Sequence, residues 1–212
     1  MWVMKFAPEG YPFIVSFGLV TVAAAFFGGT FFAALPLILT LFMLYFFRDP
    51  DRHVPDDKDV FVSPADGKVI LIRDVHEPKY LHADAKEVSI FMSPMDVHVN
   101  RAPCDGRVKT VKHNEGRFYA AYKDEASMSN ENIEMVIETE YGDVLVRQVA
   151  GFVARRAVCR KKEGDTLKRG ERYGIIKFSS RLDVYIPAKA DIRIKPGDAV
   201  KAGETIIGEM PD

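Results

Sequence analysis

Ser63-Pro-Ala-Asp-Gly-Lys-Val69 returns as Ala102-Pro-Cys-Asp-Gly-Arg-Val108, and Gly164-Asp-Thr-Leu-Lys-Arg-Gly-Glu171 returns as Gly197-Asp-Ala-Val-Lys-Ala-Gly-Glu204. Each Asp-Gly or Gly-Asp supplies the positive-φ corner that a tight hairpin needs. Around these corners the chain from Arg48 onward alternates apolar and polar residues and is cut by Gly, Pro and Asp. Lys68–Val75 and Lys86–Met92 read as strands, and Ile133–Thr139 with Val144–Val149 reads as a hairpin turned at Tyr141-Gly142-Asp143. Short repeated hairpin units predict a mainly β domain, a sandwich or barrel, over 48–212.

Working outward toward the N-terminus, no charged residue occurs between Glu9 and Arg48. That run exceeds what a soluble core helix needs and belongs in lipid. As one straight helix, 11–47 would reach roughly 55 Å, against a hydrocarbon core of ~30 Å. The spacing therefore predicts a helical hairpin broken at Gly28-Gly29-Thr30, with helices at about 12–27 and 31–47, Pro36 near the start of the second, and both ends on one side of the bilayer. A cleaved signal peptide is the alternative, but Lys5 is the lone early cation and the apolar core is of double length. Residues 1–47 are thus expected to be a membrane-anchoring hairpin. Lys5, Arg48 and Arg52 are too few to orient it.

The remaining composition excludes several classes. With 212 residues, 48% apolar content and a formal charge of −1, the chain shows no nucleic-acid footprint. Cys104 and Cys159 have the spacing of neither a disulfide framework nor a zinc site. His53, His76, His82 and His113 show no metal-ligand spacing.

Within Gly174-Ile-Ile-Lys-Phe-Ser-Ser-Arg-Leu-Asp-Val-Tyr-Ile-Pro187 the strand periodicity has no need of a hydroxyl pair, yet Ser179-Ser180 stands there. A serine hydroxyl can attack the preceding carbonyl, shift the chain from amide to ester and leave by elimination, so that hydrolysis yields a pyruvoyl group. Such a ketone can condense with an amine substrate and accept electrons as carbon dioxide departs, the sink that PLP otherwise supplies. The cofactor would be made from Ser180, with no metal and no PLP.

Phe91-Met-Ser-Pro-Met-Asp-Val-His-Val-Asn-Arg-Ala-Pro103, taken with Ser63–Gly67, Gly151–Lys162 and 174–187, resembles the short-chain phosphatidylserine decarboxylase proenzymes over nearly the whole chain. The resemblance implies self-cleavage between Ser179 and Ser180 into a β chain, 1–179, and an α chain, 180–212, that stay together as a heterodimer. It implies decarboxylation of phosphatidylserine to phosphatidylethanolamine in the cell membrane, with the catalytic domain on the cytoplasmic side. His98 takes the role of general acid and base. Asp66, in the Ala-Asp-Gly motif, would orient or charge-balance it, although an Asp-Gly pair is also an ordinary turn. The family usually carries Gly-Ser where this chain has Ser-Ser, and a Cβ at 179 restricts the peptide that must distort. A native serine with slower cleavage and a serine in place of a native glycine both stay open. Longer relatives have a second histidine where this chain has Arg101.

Asp96 and Asn100, read as sharing a strand face with His98, are candidates to orient the ring or touch the head group; Arg155, Arg156 and Arg181 are candidates for its phosphate or carboxylate. Eight cations against three acids between 152 and 172 read as a solvated or membrane-facing strip. The aperiodic stretch from His113 to Asn132 reads as a lid or a long surface loop. Ile194–Gly208 resembles the hairpins of biotinyl- and lipoyl-carrier-like sandwiches, in architecture only. An archaeal ether-linked serine lipid as substrate, and a non-enzymatic membrane-anchored adaptor, are the alternative functions. A higher homo-oligomer is compatible with exposed strand edges.

Overall fold

The computed structural model describes residues 5–116, 130–151, 156–177 and 180–211, and the chain forms two compact units, Met1–Asp51 and Arg52–Asp212. In the first, α1 (Tyr11–Phe46) is helical on both sides of Gly29, whose φ of 78° and ψ of −178° reverse the chain. This is the expected hairpin, broken at the expected glycines. Glycine adopts that conformation without the Cβ clash that other residues meet. The Thr21 and Thr40 hydroxyls lie 3.1 Å apart across the two arms. The ends are tied together as well: the Ala7 amide donates to the Phe47 carbonyl at 2.8 Å, and Lys5 pairs with Asp51. Most of the arms' large apolar side chains face outward, Phe31 being 86% exposed.

The second unit is built of short strands: β1 (Val60–Val62), β2 (Gly67–Glu77), β3 (Ala83–Met92), β4 (Val99–Arg101), β5 (Gly106–Asn114), β6 (Asn132–Thr139), β7 (Gly142–Ala150), β8 (Ala157–Cys159), β9 (Thr166–Leu167), β10 (Arg172–Ile176), β11 (Ser180–Pro187), β12 (Asp191–Ile192), β13 (Ala199–Val200) and β14 (Ile206–Glu209). They make an eight-stranded sheet in the order β13-β2-β3-β11-β7-β6-β5-β9 and two three-stranded sheets, β1-β14-β12 and β4-β10-β8. All pairings are antiparallel.

This strand order carries an internal two-fold relation that follows from the sequence repeats. The Val69 carbonyl accepts from the Gly197 amide while the Val69 amide donates to the Asp198 carbonyl, just as the Val108 carbonyl accepts from the Gly164 amide and the Val108 amide donates to the Asp165 carbonyl. Gly203 donates to Ser63 as Gly170 donates to Ala102, each at 2.8 Å. The β2–β3 ladder slips between Val69 and Leu71, and the β5–β6 ladder slips at the matching place, between Val108 and Thr110. The repeats therefore pair crosswise, 63–69 with 197–204 and 102–108 with 164–171, the second pair nested inside the first.

One face of the large sheet packs a continuous apolar core that includes Val69, Ile90, Met92, Val108, Met135, Ile137, Val146, Leu182, Val184 and Ile186. The other face is also buried but charged. Arg181 pairs with Asp183 at 2.6 Å, and Arg147 pairs with Glu134 and reaches the Tyr185 hydroxyl, each at 2.8 Å. Burial alone would lift the Glu134 carboxyl, but hydrogen bonds from Lys79 and Tyr80 and the Arg147 charge hold it below the usual carboxylate range.

Candidate active site

Ser180 opens β11 and is fully buried on the apolar face, opposite Met92 of β3 and Ala150 of β7. Its hydroxyl meets the Met92 thioether, Oγ to Sδ 3.4 Å, a weak acceptor that leaves the oxygen nucleophilic. Asn100 Nδ2 approaches the same sulfur at 3.8 Å, and Asn100 Oδ1 accepts from Gln148 Nε2 at 2.8 Å. Ser180, Met92, Asn100 and Gln148 thus form one buried strip across β11, β3, β4 and β7.

His98 immediately precedes β4 and is also fully buried. Its carbonyl accepts from the Ile176 amide, which sets the histidine beside the end of β10. The ring's Nδ1 lies 3.0 Å from the Asp96 carbonyl oxygen. A carbonyl can only accept, so Nδ1 carries the proton and, in the neutral ring, Nε2 holds the lone pair. In that tautomer Nε2 is the ring nitrogen able to accept a proton.

Two expectations about the neighbours are corrected. Asp96 does not share a strand face with Asn100. It sits in the turn before β4, where its carboxylate accepts from the Ser93 amide at 2.7 Å, and it orients the imidazole through its main chain. Arg181 offers no surface charge to a ligand: it lies on the opposite face of the sheet from Ser180, 1% exposed, and binds Asp183, Glu87 and Ser89. Arg156 is exposed, its carbonyl accepting from Lys177. Arg155 and Ser179 lie outside the described residues, as does the stretch 117–129 of the expected lid.

Asp66 precedes β2, and its carboxylate is gripped by Arg52, at 2.7 and 2.9 Å, and by the Ala202 amide at 2.8 Å. Burial nevertheless pushes its carboxyl above the ordinary range, with the Asp96 charge adding to that and Arg52 opposing it. Its turn is joined to β4 by the Arg101 amide donating to Pro64. Burial pushes the Cys104 thiol up to about 12, so it stays protonated and unreactive.

Gln148, Met92 and Arg52 were missed from sequence. Gln148 sits in Val-Leu-Val-Arg-Gln-Val-Ala150, where two adjacent polar residues look like an exposed edge. A usable signal was the repeat itself, for Asn100 stands where the first repeat has Phe61. A cavity of about 440 Å³ opens on the charged face instead, lined by Arg73, Lys79, Glu87, Glu134, Arg147 and Tyr185. Those groups pair with one another.

The chain is similar to known proteins along most of its length. A family model described as phosphatidylserine decarboxylase matches residues 39–208. A phosphatidylserine decarboxylase proenzyme of Syntrophus aciditrophicus is 46% identical over 204 residues, covering 95% of this chain and 96% of its own. Those of Geotalea uraniireducens and Symbiobacterium thermophilum are 45% and 43% identical, each over 206 residues and 97% of this chain, with 96% and 95% of their own lengths covered.

Proposed function

The chain belongs to the phosphatidylserine decarboxylase family, and from that premise we propose that it is a self-processing carboxy-lyase that converts phosphatidylserine to phosphatidylethanolamine at a membrane surface. The observation that carries the assignment of the reacting atom is the buried Ser180 hydroxyl, set against a thioether at the head of β11.

In maturation, Ser180 Oγ adds to the carbonyl carbon of residue 179 and the 179–180 C–N bond breaks. His98 Nε2 takes the hydroxyl proton. Elimination then frees the new carboxylate of residues 1–179, and hydrolysis leaves a ketone at residue 180 and releases ammonia. The surroundings fit such a group, since Met92 and Ala150 flank residue 180 with apolar atoms. A pyruvoyl carbonyl there supplies an electrophile for the head-group amine and a sink for the electron pair left as carbon dioxide departs.

The chain's own residues do the rest. His98, protonated at Nδ1 by its bond to Asp96, can hold a second proton at Nε2 and deliver it to the substrate carbon. Asp66 balances that charge through the site's field, its own geometry fixed by Arg52 and Ala202. The hairpin, helical and apolar enough to enter lipid, brings both of its ends together. Inserted, it leaves the catalytic unit on one side of the bilayer, taken to be the cytoplasmic side, where the head group is presented without leaving the membrane.

Intact-mass measurement on the full chain in detergent tests this. A competent sample contains a fragment of residues 180–212 blocked to N-terminal sequencing, and borohydride with an amine substrate adds the adduct mass to it. An active sample that stays one uncut chain and traps nothing overturns the proposal.

A further inference from the structure

We propose that Gln148 is a substrate-orienting residue, its side-chain oxygen accepting a hydrogen bond from the amine of the serine head group beside Ser180. This rests on the decarboxylase reading above and adds a residue to it.

Gln148 is 1% exposed and lies on the same sheet face as Ser180: it stands opposite Leu182, while its neighbour Ala150 stands opposite Ser180. Its nitrogen is committed, to Asn100 Oδ1 at 2.8 Å and toward the Val158 carbonyl at 3.4 Å. With two acceptors on that side, the amide orientation is determined. Its oxygen is buried and has no hydrogen-bond partner among the described residues. Buried acceptors are rarely left so, because the water they have lost is not replaced.

The two-fold relation shows that the fold has no need of this amide. Gly174 faces Asn100, and Gly208 faces Phe61 in the matching register. A Cβ at Gly174 would lie 2.9 Å from Gln148 Nε2 and 2.3 Å from the Val158 carbonyl oxygen; one at Gly208 would lie 2.9 Å from Ile186 Cδ1 and 3.2 Å from the Asp191 carbonyl oxygen. Gln148 and Ile186 therefore occupy equivalent slots, one against Asn100 and the other beside Phe61. Two apolar side chains fill that slot in one half, and two amides fill it in the half that holds Ser180.

The chemistry of the head group selects the partner. Its carboxylate and phosphate can only accept, whereas its amine donates. An acceptor lacking a donor, joined to Ser180 through Asn100 and Met92, is therefore matched to the amine that must approach residue 180.

The test uses the full chain with Gln148→Met and, because one aliphatic shape can fail to pack, Gln148→Leu; Ile186→Met is the control in the twin slot. Cleavage is read by intact mass, and the carbonyl is titrated with hydroxylamine. Glycerophosphoethanolamine, which carries the amine and phosphate but no carboxylate to lose, is then trapped with cyanoborohydride over a concentration series. The variants should cleave, carry the carbonyl, and need at least about tenfold more amine for half-maximal trapping, while Ile186→Met matches the parent. Half-maximal trapping within about twofold of the parent overturns the proposal and leaves Gln148 as a packing residue or a holder of water. A parent protein with no titratable carbonyl overturns the decarboxylase reading itself, and this inference with it.

Discussion

The two halves of the catalytic unit share one backbone plan and differ in what they bury. In one half Asp59 precedes β1, Gly142 opens β7 opposite Thr139, and the Tyr141 hydroxyl donates to Asp59. In the other, His98 precedes β4 and Ser180 opens β11 opposite Met92. Phe61 and Ile186 fill the slot that Asn100 and Gln148 fill across the relation. Asp105 receives the Arg169 amide at 2.9 Å as Asp66 receives that of Ala202, but Asp66 is in addition buried against Arg52. The contrast separates what folding requires from what chemistry requires. A polar group buried in one half and apolar or surface-lying in its counterpart is kept for a purpose other than the sheet.

The largest effect should come from the pair His98 and Asp59. His98→Ala removes the proposed base and is expected to slow chain cleavage about 10²–10⁴-fold, whereas Asp59→Ala, at the matching position, should leave the cleavage rate unchanged. A time course of the two-chain form on a denaturing gel reads both. Equal rates in the two variants would erase the functional difference between the halves.

Next in size is the slot itself. Phe61 is 1% exposed in the core, so Phe61→Ala should lower stability by about 3–5 kcal/mol, read as a denaturant midpoint, while the folded fraction still cleaves. Asn100→Ala strands the Gln148 nitrogen and should cost less, about 1–3 kcal/mol, yet impair amine trapping. Stability and chemistry would then be lost in opposite halves.

Gly174 and Gly208 sharpen the same point. A Cβ at 174 meets a backbone carbonyl at 2.3 Å, which cannot yield, whereas one at 208 meets the mobile tip of Ile186 at 2.9 Å. Gly174→Ala should therefore destabilise by about 1–3 kcal/mol and Gly208→Ala by visibly less, on the same denaturant scale.

Much of this architecture was legible in sequence because its punctuation is chemical. The charge-free run with Gly28-Gly29 announces a hairpin, and the Asp-Gly and Gly-Asp corners announce short strands; Gly67, Gly142, Gly164 and Gly197 do take positive φ, of 150°, 116°, 90° and 99°, whereas Gly106 does not and is instead held by the close approach of the Glu138 carbonyl. The crosswise pairing of the repeats was not legible, since local patterns say where a corner falls but not which distant corner it meets. His98 and Ser180 stood out through their motifs. Gln148 goes unnoticed in the sequence and Arg181 reads there as a ligand contact, for one physical reason: both faces of the large sheet are buried, so a polar residue on a strand need not point to solvent. Arg181 is buried among acids, and Gln148 faces the apolar side.

The smallest effect concerns the Asp66 clamp. Burial raises this carboxyl above its ordinary range while Arg52 opposes the rise. A group whose folded pKa exceeds its unfolded one binds more protons folded than unfolded, so stability is full below the unfolded pKa and falls as pH rises through the folded one. From the ordinary carboxylate range upward, Asp66 should therefore subtract stability as it ionises. Arg52→Gln removes the opposing charge and should steepen that fall and carry it to higher pH, whereas Asp66→Asn should flatten it. Denaturant midpoints taken across the acidic range on the three proteins decide the matter. If Arg52→Gln leaves the slope unchanged, the Arg52 pair is a surface contact like any other, and the difference between Asp66 and Asp105 reduces to burial alone.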